Sequence, residues 1–84
     1  MEAKANSNTI NNDGINYLEQ ANYDEAIKFF NKAIIENPKN EVAYFNRGIA
    51  FEKIGKYKDA LNSYGESLKI NNKFEKAFYN RGLI

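Results

Sequence analysis

Gly14, Gly48 and Gly82 recur at one interval, since 48 − 14 = 34 and 82 − 48 = 34, and the residues around them keep the same register. Tyr23 answers to Tyr57, Ala26 to Ala60, Phe30 to Tyr64, and Asn12 to Asn46 and Asn80. A fixed period in this range means stacked copies of one small supersecondary unit. Each unit buries its apolar face only against its neighbours, and the stack presents an extended curved surface rather than a closed reaction centre.

Copies can be laid out over residues 7–40 and 41–74, with a third starting at 75 and running to 84, after a polar lead of 1–6 expected to be disordered. Each full copy reads as two helices. Tyr44, Gly48, Phe51 and Ile54 fall on one helical face. Gly55 then stands where a helix C-terminus wants a residue tolerant of positive φ. A second stripe follows: Tyr57, Ala60 with Leu61, Tyr64 and Leu68, ended by Asn71-Asn72. The first copy repeats this scheme with Ile10, Gly14, Tyr17 and Leu18, a break at Ala21-Asn22, then Tyr23, Ala26 with Ile27, Phe30, and Ala33 with Ile34. Asn22 with Glu25 three residues on forms a capping-box pattern. Asn37-Pro38 ends the second helix, because the residue before proline is pushed out of the α region, and Asn40 is placed to cap the third. No stretch reads as a strand. The opening helix, holding Asn8, Asn11, Asn12 and Asn16, is expected to form through packing rather than propensity.

Gly14, Gly48, Ala26 and Ala60 fall mid-helix, where small residues let two helix axes approach while Tyr17 or Phe51 and Phe30 or Tyr64 fill the adjoining space. With these residues in place, the chain resembles the tetratricopeptide repeat family. The resemblance rests on Gly14, Tyr17, Tyr23, Ala26, Phe30, Ala33 and Pro38, and on Gly48, Phe51, Gly55, Tyr57, Ala60 and Tyr64. It implies an all-α fold, an α-solenoid of antiparallel helix pairs in a right-handed superhelix, here with about five helices. It also implies a non-catalytic interaction module that binds an extended peptide or partner segment. The family usually has leucine before each glycine, where this chain has Asp13, Arg47 and Arg81. An Asp13–Arg47 pair and two side chains reaching solvent or lying along apolar neighbours are both open readings. Ser67 replaces a small alanine and Asn72 a proline.

The first helix of each copy is expected to line the concave side. Its face gives three ladders: Asn12, Asn46, Asn80; Asn11, Phe45, Tyr79; and Ile15, Ile49, Leu83. A carboxamide carries a donor and an acceptor, so a row of them suits the main chain of an extended peptide. The resemblance implies the same use, with Ile15, Ile49 and Leu83 adding apolar contact. Co-chaperone relatives clamp a C-terminal carboxylate through five positions. Those positions here hold Asn11, Ile15, Asn46, Lys76 and Asn80, of which only Asn46 and Lys76 match. Lacking the other cations, the clamp loses its charge-assisted hydrogen bonds. Glu52 and Lys53 reach toward the concave edge without a specific role in the sequence pattern.

Composition narrows what else the chain can do. With 12 basic and 11 acidic residues among 84, the net charge is +1, which gives no electrostatic footprint for nucleic acid or an anionic membrane. There is no Cys and no His, so thiolate metal sites and the commonest metal ligand and neutral-pH base are absent. Ser7, Ser63 and Ser67 therefore have no triad partner, and no phosphate-loop motif is present. No enzyme activity, cofactor or metal is expected. No apolar run reaches the roughly 20 residues of a membrane span, and the first residues lack a signal-peptide core. A soluble, cytoplasmic location is the default. The alternative to peptide binding is a self-associating fragment, a homo-oligomer formed through an uncapped apolar end near Phe78, Leu83 and Ile84.

Overall fold

The computed structural model describes residues 6–72. They form four α-helices: α1 (Ser7–Glu19), α2 (Tyr23–Glu36), α3 (Glu41–Lys53) and α4 (Tyr57–Ile70). There is no strand among the described residues. The expected fifth helix falls in residues 75–84, outside the described residues. α1 packs on α2 and α3 on α4 as antiparallel hairpins, α2 also lies against α3, and α1 touches α3 more sparsely.

The hairpin turns follow from one hydrogen-bond pattern used twice. Ala21 N–H donates to Leu18 C=O at 3.0 Å and Asn22 N–H to Tyr17 C=O at 2.9 Å. Gly55 N–H donates to Glu52 C=O at 3.1 Å and Lys56 N–H to Phe51 C=O at 2.9 Å. This paired 5→2 and 6→1 arrangement is a Schellman motif, and it requires a left-handed residue after the helix. Gly55 takes it with φ 80°. Ala21, its counterpart one period earlier, takes it with φ 59° and carries the steric cost of a Cβ there.

N-termini are satisfied differently in the two kinds of helix. Asn6 Oδ1 accepts from Thr9 N–H at 2.9 Å, so Asn6 closes α1 rather than trailing in the polar lead. Asn40 Oδ1 accepts from Ala43 N–H at 3.1 Å, as its position before α3 predicts. The capping box at Asn22 does not form: Asn22 flanks α2 with no side-chain cap bond. Its backbone N–H is already committed to the preceding Schellman turn, and its φ/ψ of −92°/75° is not the extended conformation Asn6 uses. Asp24, Glu25 and Asp59 lie in first turns, where a negative charge favours the helix dipole.

The core is built from large rings set on small residues. Ala26, Phe30, Ala33, Ala43, Ala50, Ala60 and Tyr64 are wholly buried. Ile15, Tyr17, Leu18 and Ile27 pack against the cluster of Ala26, Phe30 and Ala50. A Cβ at Gly14 would stand 2.5 Å from the Phe30 ring, and one at Gly48 would stand 2.5 Å from the Tyr64 ring. The glycines are therefore the floor on which these two rings lie.

Buried hydroxyls tie each hairpin across its open end. Ser7 Oγ donates to the Ala33 carbonyl at 2.7 Å. One period on, the direction reverses, and Ser67 Oγ donates to the Glu41 carbonyl at 2.8 Å. The serine that departs from the family's alanine thus does, from α4, what Ser7 does from α1. Ser7 Oγ also accepts from Asn40 Nδ2 at 2.8 Å, which links α1, α2 and the start of α3.

Candidate peptide-binding surface

The seam between the two hairpins sets how α1 and α3 lie side by side. Arg47 occupies it. Its Nε donates to Ser63 Oγ on α4 at 3.1 Å and its Nη1 to Asn31 Oδ1 on α2 at 2.9 Å. The guanidinium sits 5.1 Å from the Tyr44 ring centroid and 5.9 Å from that of Phe51. Burial pushes its pKa down from the ordinary value, against the pull of Tyr44, Glu66 and Asp59, and the group stays charged at neutral pH. Of the two readings of Asp13 and Arg47, the structure realises neither in full. Arg47 does lie along apolar rings, but its charge is spent on α2 and α4, and no ion pair joins it to Asp13 among the described residues. A planar fork with several donors can bridge two helices in this way, whereas leucine could only fill the space.

On the α1–α3 face, Asn46 Nδ2 donates to Asn11 Oδ1 at 3.2 Å, and both residues are buried, at 8% and 5% exposure. The pairing is diagonal in register. Asn46 lies on the edge of α3 turned toward α1, and Asn11 on the edge of α1 turned toward α3. Asn12, the counterpart of Asn46 in the first copy, is exposed. The bond uses one end of each carboxamide. Among the described residues, no buried side-chain N or O atom lacks a partner. The remaining ends, Asn11 Nδ2 and Asn46 Oδ1, therefore reach the surface as one donor and one acceptor.

The apolar positions are shared between core and surface. Ile15 and Ile49 are half-buried, one on each helix. Phe45 is half-buried with its ring 5.8 Å from that of Tyr64. Glu52, one helical face with Phe45 and Ile49, is half-buried, and its Oε1 accepts from the Tyr64 hydroxyl at 2.9 Å. Lys53 is exposed. Lys76, Tyr79, Asn80 and Leu83 lie outside the described residues. The sequence pattern puts Asn11 in the ladder with Phe45 and Tyr79 but does not reveal its bond to Asn46, and it gives Glu52 no specific role. The available signal for Asn11 was its place one residue before Asn12. For Glu52 it was the joint change from Leu18 and Phe30 in the first copy to Glu52 and Tyr64 in the second.

Among the described residues, no three acidic side chains gather as a metal-binding group, and no helix is long and apolar enough to cross a membrane.

Comparison with known proteins places this geometry. No curated protein matches the chain in sequence. Two family models do match: a tetratricopeptide repeat model over residues 42–74 and a TPR repeat model over residues 14–55. Among solved structures, the second tetratricopeptide domain of Spaghetti (RPAP3), bound to an HSP90 peptide of sequence SRMEEVD, superposes with a TM-score of 0.89 at 25% identity. That match covers 92% of this chain and 71% of that one. The tetratricopeptide domain of Arabidopsis OM64 superposes with a TM-score of 0.90 at 26% identity, covering 94% of this chain and 65% of that one, just under two thirds. The period, the paired helices and these matches agree: the chain belongs to the tetratricopeptide repeat family.

Proposed function

We propose that this protein is a non-catalytic interaction module that holds an extended segment of a partner protein along the α1–α3 face. The observation that carries the reading is the Asn11–Asn46 pair. Two carboxamides from separate repeats are fixed against each other and leave one donor and one acceptor at the surface. Such a pair matches the C=O and N–H of an extended peptide and reads no side chain. Half-buried Ile15 and Ile49 flank it and supply apolar contact. Asn12, Phe45, Asn80, Tyr79, Leu83 and Lys76 extend the same surface in this reading.

The peptide-bound state of the Spaghetti domain supports a peptide ligand in general. A C-terminal carboxylate is a poor fit here. Asn11 stands where the carboxylate clamp has its lysine, and Ile15 where it has an asparagine, so the first cation and the amide beside it are both missing. The ligand is an internal segment, recognised through its main chain.

The test is affinity. Linear peptides selected from a display library on the intact chain are titrated against wild type, Asn46→Ala and Asn11→Ala. Each substitution removes one hydrogen bond to the ligand and strands the other amide, which predicts about tenfold weaker binding. Affinity unchanged in both variants would remove the pair from the account.

A further inference from the structure

We infer that Glu52 makes this surface selective for partner segments that carry a lysine or arginine; the inference rests on the peptide-binding reading above. The two repeats differ at one coupled pair of positions. In the first copy Leu18 and Phe30 occupy them, and in the second Glu52 and Tyr64. Tyr64 and Phe30 are equally buried, with no exposure, and both lie on a glycine. The phenol adds one oxygen to an otherwise identical packing problem. A buried hydroxyl needs a partner, and Glu52 Oε1 meets it at 2.9 Å.

Satisfying a phenol does not require a full negative charge. A glutamine would do it, since in this bond the phenol is the donor and an amide oxygen accepts as well. Glu52 nonetheless places a carboxylate on the helical face that carries Phe45 and Ile49, half-buried and tethered through one oxygen to the Tyr64 hydroxyl. Among the described residues it has no ion-pair partner, in contrast to Glu25 with Lys28 and Glu66 with Lys69. Neighbouring Lys53 is exposed and forms no pair with it. A carboxylate held still beside half-buried apolar side chains is pre-organised for a cation, because its rotamer is fixed before the ligand arrives. The cation it suits is one on an aliphatic stem, whose methylenes lie on Phe45 and Ile49 while the charged head meets the carboxylate. Lysine and arginine have that form.

Random linear peptides displayed on phage are selected in parallel on wild type, Glu52→Gln and Tyr64→Phe. Glu52→Gln keeps the acceptor for the Tyr64 hydroxyl and removes only the charge. The expected result is a lysine or arginine at one position of the wild-type consensus. Replacing it with norleucine weakens wild-type binding about tenfold and leaves Glu52→Gln binding nearly unchanged. Tyr64→Phe, which frees the carboxylate, retains binding with a weaker basic preference. A wild-type consensus without a basic position, or a basic position that survives Glu52→Gln, overturns the role of Glu52. In that event the selected peptides still lose affinity with Asn46→Ala. Peptides indifferent to Asn46→Ala would instead overturn the binding surface itself, and the inference with it.

Discussion

The ring of Phe30 lies where a side chain at Gly14 would have to go. A Cβ there would stand 2.5 Å from Phe30 Cε1, and the relation recurs 34 residues on between Gly48 and Tyr64. Both rings are wholly buried, so neither can swing aside. Helix propensity alone favours alanine over glycine by about 1 kcal/mol. Overpacking costs about 1–3 kcal/mol and wins where the obstructing ring is enclosed. Gly14→Ala and Gly48→Ala are therefore expected to destabilise by about 1–2 kcal/mol net, measured by urea unfolding. Gly14→Ala combined with Phe30→Leu should cost less than the sum of the two single changes, because they share one contact.

Gly65 is the opposite case. It lies mid-helix in α4 with no described heavy atom within 4 Å of its absent Cβ. Gly65→Ala is expected to raise stability by about 1 kcal/mol, read as an increase in the urea midpoint.

Ala21 holds the left-handed position that Gly55 holds in the next turn. A Cβ in that conformation costs about 1–2 kcal/mol, and glycine loses about 0.5–1 kcal/mol in backbone entropy. Ala21→Gly should stabilise by about 0.5–1 kcal/mol, and Gly55→Ala should destabilise by a similar amount. Thermal unfolding of the two variants checks both signs.

These positions show how much the sequence carried. The period, the small residues beneath Phe30 and Tyr64, the turn at Gly55 and the cap at Asn40 were all legible, because each depends on neighbours at fixed offsets. What was not legible depended on relations across the seam. The Asn46–Asn11 bond is diagonal, and a ladder read straight down equivalent positions misses it. Asn22 has the right residue type for a cap, yet the turn before it uses the position for another purpose. Arg47 has two hydrogen-bond partners on two other helices, which no local spacing reveals.

Arg47 offers a check on that seam. Arg47→Ala removes two hydrogen bonds and two ring contacts, and should destabilise by about 1–3 kcal/mol. Arg47→Lys should recover only part of this, since one ammonium cannot span Asn31 and Ser63 as the planar fork does. Full recovery in guanidinium unfolding would show that charge alone, rather than the fork, holds the hairpins together.

In the proposed reading, α1 and α3 bring Asn11 and Asn46 to one ligand-binding face. Titration of ¹⁵N-labelled protein with a selected peptide tests it most directly, because each side-chain carboxamide gives its own pair of resonances. The account predicts that the Asn11 and Asn46 side-chain signals shift together with the backbone amides of Ile15 and Ile49, while those of Lys28, Lys32 and Lys58 on α2 and α4 stay in place. Shifts confined to α2 and α4, with the Asn11 and Asn46 carboxamides unmoved at saturation, would contradict it.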